Sequence, residues 1–268
     1  MIHSAMGRMS SAEKRVARTV LADYPSAALG TATALATRSA ASTASVLRFC
    51  NRLGLDGFAQ LNRLVREELS ASTASPLGRA RTAAEQSLGI TDAVEHRAAL
   101  VASILDTVPV TELDRVVELL ADTSRSVITV GGRISHLWTR YLQLQLRHVR
   151  PRVQHLDDPL QLDIGALLDL RRNDVLVLFD FRRYEDRAVK VAEMARQRGA
   201  TVILITDVWL SPVGQTADVV IPVEVEASFF DSFASVLVLI ESIVPLVAQR
   251  IGGSGLKRMG EVEAARLA

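Results

Sequence analysis

The chain has 268 residues, 49% hydrophobic and 23% charged, with a formal net charge of +1. That balance excludes an intrinsically disordered chain, and 4% aromatic content beside abundant alanine favours helices over a β-sandwich. A single cysteine, Cys50, excludes a disulfide within the chain and fits a reducing cytoplasm.

In chain order, "SSAEKRVARTVLADYP" places Ser10 three residues before Glu13, the capping-box spacing of a helix start, and Pro25 stops the run. "ATALATRSAA" predicts a short helix. "STASVLRFCNRLGL" predicts another, with Ser42 as N-cap and Gly54 as stop. "DGFAQLNRLVREEL" sets Phe58, Leu61, Val65 and Leu69 on one helical face, and the small polar "SASTASP" reads as a linker. Two helical patterns, 92–107 and 111–123, lead into alternating β and α signals. Strands are predicted at 126–131, 152–156, 174–180, 201–206 and 218–223, with Gly199 closing a helix over 184–198. Runs such as "DVLVLF" and "TVILIT" are continuously apolar, as expected of parallel strands covered on both faces. The expected fold class is therefore α/β overall, an all-α N-terminal domain followed by a doubly wound parallel sheet. The expected domains are 1–76, a linker helix over 77–106, and 107–268.

Charge is unevenly shared. Residues 1–80 carry ten Lys/Arg against five Asp/Glu, and the rest carries twenty-one against twenty-five. A basic head on an acidic body suits a polyanionic partner for the head. The helix after Ser42 divides accordingly. Val46, Phe49, Cys50 and Leu53 share one side, while Ala44, Ser45, Arg48, Asn51 and Arg52 lie round the other. A DNA-recognition helix needs apolar anchors behind, with short polar groups and arginines in front. Arg48 is placed to read a guanine and Arg52 to reach a phosphate or base. Ser42 and Thr43 stand where the helix dipole favours an anion. Cys50 falls on the packed side, as a core thiol.

The stretch "SVLRFCNRLGLDGFAQLNRLVREEL" resembles the helix-turn-helix of RpiR-type bacterial transcriptional regulators. Their recognition helix reads Ser-x-x-(Ser/Thr)-Val-x-Arg-Phe-Cys-x-x-Leu-Gly-x-x-Gly-Phe. The matching positions are Ser42, Ser45, Val46, Arg48, Phe49, Cys50, Leu53, Gly54, Gly57 and Phe58. The resemblance implies a C-terminal SIS (sugar isomerase) domain, flavodoxin-like in topology, that binds phosphosugars. It also implies operator DNA as partner, a homodimer or homotetramer, and no enzymatic activity.

Ligands of open parallel sheets sit beyond the strands' carboxyl ends, at the switch point of strand order. Three corners should meet there: "VGGRIS" (130–135), "FDFRRYED" (179–186) and "TDVWLSP" (206–212). SIS domains that bind sugar phosphates resemble this layout, with Gly-x-Gly-x-Ser at the first corner and Ser-x-Ser-Gly-x-Thr at the second. This chain keeps Gly131 and Ser135 but has Arg133 for the second glycine. Asp180, Arg182, Arg183 and Glu185 stand where the hydroxyl-rich loop would be. Guanidinium groups can replace hydroxyls as anion binders. On one reading Arg133 with Arg182 or Arg183 binds an anionic metabolite, a sugar phosphate or sugar acid, and Asp180 accepts from its hydroxyls or orients an arginine. On the other, the arginines pair with Asp180, Glu185, Asp186 or Asp207 and only brace a loop or subunit contact. His136 either faces the pocket or is a solvated or helix-capping side chain, Glu224 and Glu226 either border the pocket or solvate the loop, and Glu241 suits a subunit interface. The scattered histidines form no metal-ligand spacing, so neither metal nor cofactor is expected. No membrane span is expected, since Glu241 and Pro245 interrupt the apolar stretch 233–249. A SIS-like domain that only oligomerises, and a phosphosugar isomerase with an accessory head, remain as alternatives.

Overall fold

The computed structural model describes residues 2–73, 76–83 and 89–267. The chain divides into two compact units, Met1–Ala74 and Ser75–Ala268.

The first unit holds α1 (Ile2–Ala5), α2 (Ser11–Ala22), α3 (Ser26–Leu29), α4 (Ala32–Arg38), α5 (Thr43–Arg52) and α6 (Phe58–Thr73). The capping box is formed: Ser10 N–H donates to Glu13 Oε2 at 2.8 Å, and Glu13 N–H donates to Ser10 Oγ at 3.4 Å. Ser42 caps α5, its Oγ accepting from Ser45 N–H at 3.2 Å, a contact that stabilises a helix start by about 1 kcal/mol. Gly54 ends α5 at φ 79°, with its N–H on Asn51 O and the N–H of Leu55 on Cys50 O, both 3.0 Å. Any side chain at that left-handed position would be strained. Val16, Val20, Leu35, Val46, Phe49, Cys50, Phe58 and Leu61 fill one core. Burial pushes the Cys50 thiol up to about 11, which leaves it a packing group. Of the segment expected as a linker, residues 70–73 continue α6 and Pro76 opens α7, while 74–75 lie outside the described residues. Ser, Ala and Thr extend a helix already nucleated by a packed face at little cost.

The second unit begins with α7 (Pro76–Ala83), α8 (Ile90–Ala102), α9 (Ile104–Thr107) and α10 (Val110–Ala121). Then come β1 (Val127–Gly131), α11 (His136–Val149), β2 (Val153–Leu156), α12 (Ile164–Leu168), β3 (Val175–Asp180), α13 (Asp186–Gln197), β4 (Thr201–Asp207) and β5 (Val219–Val223). α14 (Ala234–Ile251) and α15 (Gly253–Leu267) complete it. All strand pairs are parallel in the order β2-β1-β3-β4-β5, the flavodoxin-like order. The apolar strands alternate between two cores. Val175, Val177, Phe179, Ile203 and Ile205 pack with residues of α10, α11 and α14. Leu176, Leu178, Val202 and Leu204 pack with Leu167 of α12 and Val191, Ala192 and Ala195 of α13. Burial on both faces is what removes polar alternation from β3 and β4. Each predicted strand is present within one residue of its predicted ends.

By length and composition α14 is apolar enough to cross a membrane. In the fold Val236, Leu239, Ile240, Ile243 and Val247 join the sheet core, and α8, α10 and α11 lie against the helix. Glu241 faces outward, where the Tyr141 hydroxyl donates to it at 3.1 Å.

Candidate functional site

On the outer side of α5 and at its cap, Ser42, Thr43, Arg48, Asn51 and Arg52 are exposed. Ser45 departs from the expected division: it is 3% exposed and faces inward. Its burial has a consequence for Arg48. The Ser42 and Ser45 hydroxyls lie 3.0 Å apart, and Arg48 Nη2 donates to Ser45 Oγ at 2.9 Å. Glu13, 2% exposed at the start of α2, stands 3.8 Å from Arg48 Nε and 3.9 Å from Arg52 Nε. Two arginines of one face are thus held by groups beneath them rather than left as free side chains. Leu47 is 44% exposed among them, an apolar side chain that the polar pattern concealed.

In the body, β1 has β2 on one side and β3 on the other, so the chain's path reverses there. α11 leaves β1 toward one face of the sheet and α13 leaves β3 toward the other, opening a crevice between the two corners. Gly131 is required at the first. A Cβ there would lie 2.5 Å from His136 N, so only glycine lets the strand approach the following helix. The Ser135 hydroxyl is spent internally, accepting from Gly132 N–H at 2.8 Å and donating to Phe179 O at 2.9 Å. It ties the two corners together. His136 Nδ1 lies 2.9 Å from Arg133 O, within the same turn.

A cavity of about 300 Å³ opens at this crevice. Arg133, Ser135, Asp180, Arg182 and Arg183 line it; Gly131 does not, although its neighbour Gly132 does. Arg133 and Arg183 are exposed. Arg183 sits at φ 67°, a left-handed conformation uncommon for a non-glycine residue and recurrent at functional sites. Arg182 behaves otherwise. Its side chain is 2% exposed, its Nη2 pairs with Glu226 Oε2 at 2.9 Å, its Nε lies 3.8 Å from Asp231 Oδ1, and its guanidinium stacks 3.8 Å above the Trp209 ring. The sequence raised Arg182 and Arg183 together as equals; the fold makes one a brace and leaves the other at the cavity rim.

Beneath the cavity lies a buried polar network. Asp207, 0% exposed, accepts from Arg182 N–H at 2.6 Å, the Tyr184 hydroxyl at 2.6 Å and Trp209 N–H at 3.1 Å. Burial pushes its carboxyl up, against the pull of these donors. Asp180, 3% exposed, accepts from the Ser211 hydroxyl. Burial, with Asp207 and Glu185 nearby, lifts its carboxyl to about 7. The unfolded chain ionises near pH 3.9 while the folded protein holds this proton, so stability falls as pH rises from about 4 to about 7. Urea denaturation at about pH 5 and about pH 7 should show the wild type losing roughly 2 kcal/mol more than Asp180→Asn across that interval. Equal losses in the two proteins would remove Asp180 from the titration.

Several cavity residues had no sequence signal. Arg79 of α7 lay within a predicted connector, and Asp231, Phe230 and Phe233 follow the last strand without a motif. Arg79 Nη1 pairs with Asp231 Oδ1 at 2.8 Å. Phe233 stacks on Trp138 at 5.7 Å and meets Phe181 edge-on at 5.2 Å, forming an apolar wall. Among the described residues no group of three or more His, Cys, Asp and Glu is arranged to hold a metal.

Residues 1–72 match the helix-turn-helix domain of the rpiR family, and residues 119–245 match the SIS domain. A helix-turn-helix-type transcriptional regulator of Caldanaerobacter subterraneus subsp. tengcongensis is 25% identical over 215 residues, covering 78% of this chain and 75% of that protein. The sugar isomerase domain of an RpiR transcription factor from Sphaerobacter thermophilus is similar in fold, at a TM-score of 0.60 and 18% identity, over 65% of this chain and 97% of that one. The Vibrio vulnificus NanR protein, in its complex with ManNAc-6P, is similar at a TM-score of 0.57 and 18% identity, over 98% of this chain and 96% of that one. With both domains matched in the same order and the recognition-helix motif in place, this chain belongs to the RpiR-type family of transcriptional regulators, a helix-turn-helix head on a SIS body.

Proposed function

We propose that this regulator binds double-stranded operator DNA through the exposed face of α5, and that a small anionic, sugar-derived metabolite held at the β1–β3 crevice switches it. Met1–Ala74 reads DNA and Ser75–Ala268 senses the ligand, with α7 and α8, expected as a separate connector, belonging to the sensing unit. Ser42 and Thr43 contact phosphate at the helix start, and Arg48, Asn51 and Arg52 address bases and backbone. Leu47 adds an apolar contact suited to a thymine methyl. Ser45 serves from below by orienting Arg48. A homodimer presenting two such helices would match two half-sites about one helical turn apart.

The observation that carries the ligand reading is the cavity of about 300 Å³ at the switch point, with Arg133 and Arg183 exposed at its rim. The NanR relative binds ManNAc-6P, which supports a sugar-phosphate class. Here guanidinium groups replace the hydroxyl cradle, so a sugar acid suits the site equally. Regulation is favoured over isomerase chemistry because the lining carboxylates are engaged: Asp180 by Ser211, Asp231 by Arg79, Glu185 facing Arg187 at 3.8 Å. A protein of this kind acts in the cytoplasm, where its operator is.

The test is a thermal-shift screen with N-acetylmannosamine 6-phosphate, 6-phosphogluconate and gluconate, followed by DNA titration with each binder present. A ligand that binds only the folded state raises the melting temperature. Arg133→Ala and Arg183→Ala should each weaken the responding anion by about tenfold, the scale of one charge-assisted contact, without changing the unliganded melting temperature. An undiminished response in both variants would move the anion elsewhere.

A further inference from the structure

We propose that Arg79, on α7, contacts the ligand in this cavity, and that its ion pair with Asp231 is the contact an incoming anion breaks. The proposal rests on the reading of the cavity as an anion site. Arg79 and Asp231 both line the cavity, beside Arg133 and Arg183. Their pair is formed at 2.8 Å between side chains that are 12% and 16% exposed, where solvent screens little. Arg79 Nε is buried and finds no hydrogen-bond partner among the described residues. The guanidinium therefore keeps an unused donor in a place closed to bulk water. Buried donors of this kind call for an acceptor. A carboxylate or phosphate entering the cavity can take Nε and a terminal nitrogen together, the two-pronged geometry that Asp231 leaves half used.

The exchange does not strand Asp231. Arg182 Nε stands 3.8 Å from the same carboxylate oxygen, so the acid retains a cationic neighbour when Arg79 turns to the ligand. That removes the main cost of breaking a buried pair, an uncompensated charge left behind. A neutral sugar offers Arg79 no equivalent replacement.

The pair also has a position that makes it informative. α7 is the first described helix after α6 in chain order, and Arg79–Asp231 fastens it to the segment between β5 and α14. α8 is held to that segment separately, through His96 Nε2 at 2.9 Å from Glu226 O. Occupancy by an anion thus replaces a contact between α7 and the body with one between α7 and the ligand, while α8 stays in place. The ligand biases α7 by its differential affinity for the two arrangements and by no more.

The experiment uses full-length protein, the same three anions as calorimetric probes, and anisotropy of labelled upstream DNA as the second readout. Arg79→Gln should weaken the binding probe by about tenfold, and Asp231→Asn should tighten it by about tenfold, because the internal competitor is neutralised. The DNA Kd of the wild type should shift on adding the probe. That of Arg79→Gln should stay constant with and without it. The opposite sign expected of Asp231→Asn keeps the test decisive if Arg79→Gln melts early. Arg79→Gln binding the probe like wild type, or Asp231→Asn weakening it, overturns this proposal and leaves the cavity reading standing. Wild-type protein that binds none of the three probes overturns both.

Discussion

Arg48→Ala should weaken binding to the protein's own operator by roughly ten- to a hundredfold at fixed salt, the 1–3 kcal/mol of one bidentate arginine–guanine contact. The expectation comes from how Arg48 is held. One terminal nitrogen is committed to Ser45 Oγ at 2.9 Å, and Nε stands 3.8 Å from the buried Glu13 carboxylate. A guanidinium with five donors and two of its directions already restrained loses less entropy on meeting a base than a free side chain does. The remaining donors are at the solvent side of the face, where Arg48 is exposed. For the base contact proposed for Arg48, the loss should be several-fold larger on operator than on random DNA, with the slope of log affinity against log salt changing by at most about one. Arg52→Ala serves as the contrast. If Arg52 meets phosphate, its loss is uniform across sequences. Anisotropy titrations between about 50 and about 200 mM salt on both DNAs make the comparison. Equal losses for Arg48→Ala on operator and random DNA would reduce Arg48 to a phosphate contact.

How far the sequence reached follows from what each feature depends on. The strands were legible because "DVLVLF" and "TVILIT" are covered on both faces, and burial writes itself directly into apolar runs. The Ser10–Glu13 box and the Ser42 cap were legible because caps are local, set by residues three apart. Ser45 escapes the helical period because periodicity gives direction and not depth: α2 and α4 both pack on α5, and a small hydroxyl at its start is covered. At the crevice, the strand-to-helix rule, which is again local, points to the corners that hold Ser135 and Asp180, and the SIS resemblance singles out Ser135 within the first; Gly131 shapes that corner without lining the cavity. Arg79 and Asp231, 152 positions apart, meet only through the return of the chain, and no period or motif connects them. The same holds for Arg182 and Glu226, where a weak suspicion about each residue became a pair only in three dimensions. The division of labour between Arg182 and Arg183 depends on the Trp209 ring and on a left-handed φ, neither of which leaves a trace in "FRRYED".

Asp207→Ala should cost roughly 3–5 kcal/mol of folding stability, the largest effect expected of any single change at the crevice. Asp207 ends β4 with no solvent exposure, and its two oxygens take three donors: Arg182 N–H, the Tyr184 hydroxyl and Trp209 N–H. Alanine leaves all three without this acceptor, the Arg182 N–H fully buried and the other two half-buried, at about 1–2 kcal/mol each. It also removes an acid facing the cationic Arg182. Asparagine retains one acceptor oxygen but turns an amide toward a donor, so its cost should fall between alanine and wild type. Urea denaturation at a pH above 7 measures the difference, with an unchanged m-value showing that stability and not the unfolded state has moved. The functional consequence separates this residue from the rim. Residues 181–184 take their course from hydrogen bonds to Asp207, so Asp207→Ala should abolish the response to anion together with stability. Arg183→Ala should diminish the response while stability stays within about 0.5 kcal/mol, as for an exposed side chain. An Asp207→Ala protein with wild-type stability would mean that the loop holds its shape without the carboxylate, and that the crevice is built by Ser135 and the two glycines before it.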